Sequence, residues 1–387
     1  NLSGTEIRKK GLGKDITNKV LNGLPGIQKE GGDGIILSAE FVLYTPFNHC
    51  KTLCLEFFGT NMIAASKAIV QIKNEFINDD VVYLSALEHF DEKYVNAINY
   101  RNKSERNEIP KAVLLIDVES NNKEKLNIAA EKIISIVAPN NAEGIIAKDE
   151  KDRKLFWNDR KHLGAIAKHT NAFKLNEDIV IPLVRLPEFA DFIELLNIKK
   201  ELSNSIDTIN NIDILISKLN NNGFEEIANE RVQLLKKKIN DIKANYLNLQ
   251  NAFEQIDLQN EKDGNVFRKL QNGEIKFSFE DDVVKYVSKV FYGYEKILKE
   301  FDSIVKSERT RKLIIATHMH AGDGNVHVNI PVHSSDYLMM QEADECASLA
   351  MKEAVRLGGV VSGEHGIGLT KLKFVEKEIL DKYQVYK

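Results

Sequence analysis

Thr317-His318-Met319-His320-Ala321-Gly322-Asp323-Gly324-Asn325-Val326-His327-Val328-Asn329 carries three histidines around a Gly-Asp-Gly bend. Leu313-Ile314-Ile315-Ala316 leads in and Val326-His327-Val328-Asn329-Ile330 leads out, so the stretch predicts a strand, a tight turn and a second strand. Glycines at the bend supply positive φ where a reversing backbone needs it. Such a hairpin brings His320 and His327, from opposite strands, to one side. Downstream, Ser362-Gly363-Glu364-His365-Gly366-Ile367-Gly368 sets a carboxylate and an imidazole on a tightly bent, glycine-flanked backbone. Buried polar side chains in such a bend are costly unless they have partners. Two imidazoles and one carboxylate make a three-ligand site for a divalent metal with open positions, which a catalytic metal needs in order to hold substrate oxygens. His320, His327 and Glu364 are the candidate ligands. His365, adjacent and unligated, is the candidate base. His49, His89, His162, His169 and His333 stand apart from any such grouping and read as structural.

Outward from these motifs, the chain alternates strands with helices. Leu53 to Phe58, Val81 to Leu84, Lys111 to Val118 and Ile179 to Pro182 read as strands. Residues 61–76, 123–138, 151–168, 280–306 and 335–357 carry helical apolar spacing, and Gly358-Gly359 ends the last. This alternation predicts an α+β layer with a sheet covered on one face. Ile35-Ile36-Leu37 and Phe41-Val42-Leu43-Tyr44 read as strand pieces fed by a glycine-rich stretch.

Residues 200–260 differ. Val232, Leu235, Ile239, Ile242, Tyr246, Leu249, Phe253 and Ile256 recur three and four apart, a heptad seam. Leu202, Ile206, Ile209, Ile212, Ile216 and Leu219 form a shorter stripe, and Asn220-Asn221-Asn222-Gly223 separates the two. The pattern predicts an inserted antiparallel helical hairpin.

The formal net charge of −4 offers no basic excess to meet a phosphate backbone, so no nucleic-acid partner is expected. Three cysteines, Cys50, Cys54 and Cys346, with no CxxC, suggest neither a disulfide framework nor a zinc knuckle. A cytoplasmic setting is expected, with peripheral attachment at the inner face of a membrane left open. An opening residue other than Met, leading into loop-like sequence, reads as a piece of a longer protein.

The two motifs resemble the C-terminal region of the FAD-linked oxidases of the vanillyl-alcohol-oxidase type. In that family the D-lactate dehydrogenases, the glycolate oxidase catalytic subunit and D-2-hydroxyglutarate dehydrogenase come nearest, and the long bacterial D-lactate dehydrogenases nearest of all. His320 to His327 meets the pattern His-x-x-Gly-Asp-Gly-Asn-x-His, and Gly363 to Gly368 meets Gly-Glu-His-Gly-Ile-Gly. The resemblance implies an antiparallel sheet covered by helices, with the long helical hairpin inserted at about residues 200–308. It implies that His320, His327 and Glu364 hold a divalent metal, zinc, and that His365 takes the substrate hydroxyl proton. Asn329 then contacts substrate or metal-bound water. Arg160, in Trp157-Asn158-Asp159-Arg160, pairs with the substrate carboxylate, a task suited to its two-pronged fork. Lys174, ahead of Asp178-Ile179-Val180-Ile181-Pro182, is the second cation. Glu30-Gly31-Gly32-Asp33-Gly34-Ile35-Ile36 resembles the run closing the family's FAD-binding domain, so Glu30, Gly31, Gly34 and Ile35 are placed near the flavin nucleotide. On this reading residues 1–48 close a FAD domain and 49–387 form the substrate domain.

The expected reaction is oxidation of a small 2-hydroxyacid, D-lactate first, with FAD as hydride acceptor in the full-length protein. A respiratory or iron–sulfur centre then receives the electrons, a homo-oligomer is admissible, and the piece alone is expected to be inactive. Two other readings stand beside it. One is a metal-dependent hydrolase using the same triad to activate water. The other is a non-catalytic subunit that works through its helical hairpin.

Overall fold

A computed structural model describes Leu12 and residues 35–167, 170, 173–220, 226–258, 265–367 and 370–374. Its elements run β1 (His49–Phe57), α1 (Ile63–Phe76), β2 (Tyr83–Asp91), α2 (Glu92–Ala97), β3 (Ala112–Ser120), α3 (Lys123–Val137), β4 (Ala142–Ile146), α4 (Glu150–Lys161) and β5 (Phe173–Val180). There follow α5 (Leu186–Asn220), α6 (Glu226–Glu254), α7 (Val266–Gln271), α8 (Lys285–Val290), α9 (Glu295–Arg311), β6 (Ala316–His320), β7 (Asn325–Val332) and α10 (Tyr337–Arg356). Two compact units divide the chain: Asn1–Asp191 with Ile315–Lys387, and Phe192–Ile314.

In the first unit the described strands form one sheet in the order β4-β1-β3-β2-β6-β7-β5. Every neighbouring pair is antiparallel. Register decides the site. Glu88 pairs with His320, His318 with His327, and His327 with Asp178. Residues directly opposite one another share a face, and alternate residues of a strand do too. Glu88, His318, His320, His327, Asn329, Asp178 and Lys174 therefore project from one face. Leu87, His89, Met319, Val326 and Val328 project from the other.

Helices lie on both faces, where the sequence predicted one. Tyr94 and Val95 of α2, Phe156 of α4 and Ile166 pack on the site face against Cys54, Phe90, Val113 and Leu115. On the opposite face Ile134 of α3 reaches Leu55 beside Gly144. β3 explains the difference: it is buried on both sides from Ala112 to Val118, so each face needs a cover. Over β6, β7 and β5 the site face keeps its row of histidines. Asp91 caps α2 by accepting from the amides of Lys93 and Tyr94, and also accepts from the amide and hydroxyl of Thr317. One buried carboxylate thus locks α2 to β6.

Three local expectations are corrected. Ile35 to Phe47 has no regular secondary structure, and Val42 and Tyr44 are 97% exposed, because no strand among the described residues pairs with them. β2 continues through Glu88 to Asp91, and β5 begins at Phe173, both beyond the apolar runs that mark them, because polar site residues occupy the missing positions. Residues 280–306 are not one helix. A π-helical turn over Glu280–Val284 leads into α8, and Gly293 at φ +89° breaks the backbone before α9.

The second unit is helical. The ion pair Lys199–Glu254 (3.0 Å) joins the early part of α5 to the end of α6, as an antiparallel pair requires. Leu202, Ile209 and Ile216 meet Val232, Ile239 and Tyr246, and Phe267, Phe291 and Phe301 from α7, the α8–α9 break and α9 complete the core. The hairpin is therefore part of a small bundle, because its stripes are too wide to be closed by two helices alone. Among the described residues no helix is long and apolar enough to cross a membrane.

The loop after α10 is fastened to the sheet by Asp178. Its Oδ2 accepts from the amides of Gly363 (2.8 Å), Glu364 (2.6 Å) and His365 (2.8 Å), and its Oδ1 accepts from Asn325 Nδ2 (2.6 Å). Glycine is required at 363, where a Cβ would lie 2.6 Å from Asn325 Nδ2 and 2.9 Å from Asp178 Oδ1. Burial alone would raise the Asp178 carboxyl. The N–H groups of Glu364 and His365 and the Asn325 amide outweigh it and hold the group at about 2. Because the folded value lies below the unfolded one, the stabilisation is present above about pH 4 and is lost as pH falls toward 2. Asp178→Asn should therefore cost roughly 2 kcal/mol near pH 7 and nearly nothing near pH 2. Denaturant titrations of both proteins at the two pH values check this. A gap that does not close in acid would show that the carboxylate's charge is not what holds the loop.

Candidate metal and substrate site

The β6–β7 bend is built from Ala321–Asp323 as a single 3-10 turn, closed by Gly324 at φ +69°. A Cβ at Gly324 would sit 2.2 Å from the Ile181 carbonyl oxygen, so only glycine fits. The turn places the His320 and His327 rings 5.4 Å apart and nearly perpendicular. Glu364, brought in by the Asp178 anchor, lies 3.6 Å from His320 Nε2 through one oxygen and 3.8 Å from His327 Nε2 through the other. The three donor atoms fall within 4.8 Å of one another. Ligands at about 2.0–2.2 Å from one tetrahedral ion stand roughly 3.4 Å apart, so this spacing fits a zinc-sized cation with little movement.

The protonation state of His327 suits the same task. Burial lowers His327 to about 4, so it is neutral near pH 7 and has a lone pair to give. His320 donates Nδ1–H to Glu88 Oε1 at 2.6 Å, which leaves Nε2 facing Glu364. That bond raises His320 against the effect of burial. A carboxylate behind a histidine in this way fixes the tautomer that a metal needs.

His318, which the sequence reading left without a role, completes the row. Its ring stacks on His327 at 4.7 Å and 13°, with Tyr94 edge-on at 5.2 Å. Its Nδ1 lies within hydrogen-bond distance of Tyr94 Oη (3.1 Å) and Asn329 Nδ2 (3.3 Å). Burial, then His327, Arg160 and Lys174, lowers His318 to about 2, so it stays neutral.

Arg160, near the end of α4, donates Nε–H to Glu88 Oε2 at 2.8 Å, while its Nη groups have no hydrogen-bond partner among the described residues. Lys174 on β5 has no ion-pair partner among the described residues, and burial lowers its ammonium. Both cations act electrostatically on His318. Two cations left open beside a row of neutral imidazoles make a site for a small anion. Asn329 is fully buried behind the histidines. Its amide nitrogen serves His318 and the His327 carbonyl, and its Oδ1 is buried with no partner among the described residues. His365 is exposed, its ring 5.3 Å from that of His327, and its ring nitrogens have no partner among the described residues.

The structure thus brings together His320, His327, Glu364, His365, Arg160, Lys174 and Asn329. Ile35 is 89% exposed with no partner strand, and Glu30, Gly31 and Gly34 lie outside the described residues. The sequence reading missed Glu88, His318 and Asp178. Glu88 stands in Leu87-Glu88-His89-Phe90, an acid inside an apolar strand, and that placement was the available signal. Of the histidines read as structural, His162 hydrogen-bonds the Asn158 carbonyl at 2.8 Å. His89 is buried on the far face, and His169 lies outside the described residues.

Comparison with known proteins bears on this geometry. The family model for FAD linked oxidases, C-terminal domain, matches residues 60–206 and 277–385. The gap falls on the end of α5, on α6 and on α7. A mitochondrial D-lactate dehydrogenase [cytochrome] of Arabidopsis thaliana is 35% identical over 83 residues, 21% of this chain and 15% of that protein. The glycolate oxidase subunit GlcD of Bacillus subtilis is 32% identical over 65 residues, 17% of this chain and 14% of that protein. A D-lactate dehydrogenase of Archaeoglobus fulgidus is 38% identical over 71 residues, 18% of this chain and 15% of that protein. The matched segments thus span about a seventh of the length of these relatives. The family match, by contrast, covers well over half of the chain, including every residue of the metal and substrate site, and the chain belongs to the FAD-linked oxidase family through its C-terminal domain.

Proposed function

We propose that this chain supplies the substrate half of a flavin-dependent 2-hydroxyacid dehydrogenase, with D-lactate as the first candidate substrate. The observation that carries the reading is the pairing of a three-donor cluster, His320, His327 and Glu364, with the unligated imidazole of His365 beside it. The relatives above are named for D-lactate and for glycolate, both small 2-hydroxyacids, and D-lactate is taken first.

His320 and His327 through Nε2, and Glu364 through its carboxylate, would hold a divalent cation, zinc by the character of the donors. A bound cation of this kind lowers the pKa of a hydroxyl it touches. The Arg160 Nη groups and the Lys174 ammonium meet the substrate carboxylate, and Arg160 offers two parallel N–H donors. Asn329 Oδ1 offers an acceptor for a hydroxyl or water at the cluster's edge. His365 takes the hydroxyl proton on a ring nitrogen as the C2 hydride leaves. In the whole protein a flavin would supply the hydride acceptor, and a respiratory or iron–sulfur centre would take the electrons onward.

A metal-dependent hydrolase would use the same donors, but it gives no account of the family match. A purely binding role for the helical unit leaves the open Arg160 Nη groups and the Lys174 ammonium beside the histidines unexplained.

Elemental analysis of the purified chain should find about one zinc-like ion per chain. His320→Ala should lose it, and a well-folded wild-type chain without metal would remove the basis of the reading. For the base, His365→Ala in the whole protein should cut D-lactate-driven flavin reduction by about 100-fold or more while metal content stays at the wild-type level. Undiminished reduction would take His365 out of the chemistry.

A further inference from the structure

Glu88 stands where the metal half and the anion half of the site meet. Its Oε1 accepts from His320 Nδ1 at 2.6 Å and its Oε2 from Arg160 Nε at 2.8 Å. Each oxygen has one donor, and the backbone has little room to move, because Glu88 pairs with Leu115 on one side and with His320 on the other. The Arg160 side is fixed again one and two turns earlier. Trp157 Nε1 (3.2 Å) and Arg153 Nη2 (3.1 Å) both donate to the buried carboxylate of Asp117, which pins α4 to β3. With Nε–H committed, the guanidinium plane is set and its Nη pair is the end left for an anion. With Nδ1–H committed, the His320 lone pair is set on Nε2.

We propose that Glu88 is a positioning residue that couples cation binding at His320, His327 and Glu364 to carboxylate binding at Arg160. The proposal rests on the functional reading above for the roles of His320 and Arg160. It adds that the two are not independent, since one rigid carboxylate sets the orientation of both. Glutamine at this position has one acceptor oxygen, so it can satisfy only one of the two N–H donors, and without charge.

The test uses the purified chain, with zinc titrated calorimetrically and D-lactate followed through the fluorescence of Trp157, the single tryptophan. Lactate is added to metal-free protein so that the cation offers it no direct contact. Glu88→Gln should lower zinc affinity by about 10- to 100-fold and should also weaken lactate binding several-fold, with the thermal midpoint little changed. Arg160→Lys keeps the charge but loses the Nε–H. It touches no metal ligand, yet it should lower zinc affinity in the wild-type background and have no further effect in the Glu88→Gln background. A Glu88→Gln protein in which only one of the two affinities falls, or neither, overturns the coupling and leaves the functional reading standing. Unchanged zinc affinity in Arg160→Lys, or metal-free wild type that ignores lactate, also overturns it. A wild-type chain that binds neither zinc nor lactate overturns both.

Discussion

The buried carboxylate of Asp178 fixes the site to the sheet. One of its oxygens accepts three successive backbone N–H groups, those of Gly363, Glu364 and His365. Removing a charge from water is expensive, and it is tolerated here because both oxygens have N–H donors. Successive amides folded around one oxygen form an anion-binding nest, with the anion supplied by the protein itself. The anchoring uses the backbone N–H groups of Glu364 and His365, not their side chains. It also dictates composition, because a side chain at 363 would strike both Asp178 and Asn325.

A second constraint comes from strand register. Because β2, β6, β7 and β5 are adjacent, residues far apart in the chain stand side by side across the sheet, with Glu88 next to His320, His318 next to His327 and Asp178 next to His327. A shift of one residue in any pair would send the corresponding side chains to the apolar face. The gradient of environment along the row then sets charge. His318 and His327, deeper in the protein, are held neutral, while His320, nearer to solvent and tied to Glu88, favours its proton more. The neutral His318 and His327 rings thus stand beside Arg160 and Lys174, an arrangement that suits the cation and the anion proposed to bind there. Binding the two together as one chelated hydroxyacid would leave the least uncompensated charge.

The helical unit contributes its own core and stands outside much of the family match. Its helices pack through buried apolar seams, in keeping with the way most helices are stabilised.

The sequence by itself determined the α+β layer, the helical segment and the grouping of His320, His327 and Glu364. Those features rest on local signals: periodicity in the helices, glycines that only certain turns require, and donor residues at short spacing. The Gly-Asp-Gly-Asn turn is one such case, since Gly324 admits no side chain. What only the tertiary structure decided is which distant polar residue meets which. Glu88 precedes His320 by 232 positions and Asp178 precedes Gly363 by 185, and no local pattern records such pairings. Nor did composition show that α8 and α9 are separate, or that β3 needs cover on both faces. Those outcomes depend on neighbours in space, where burial, register and the satisfaction of each buried donor and acceptor are settled jointly.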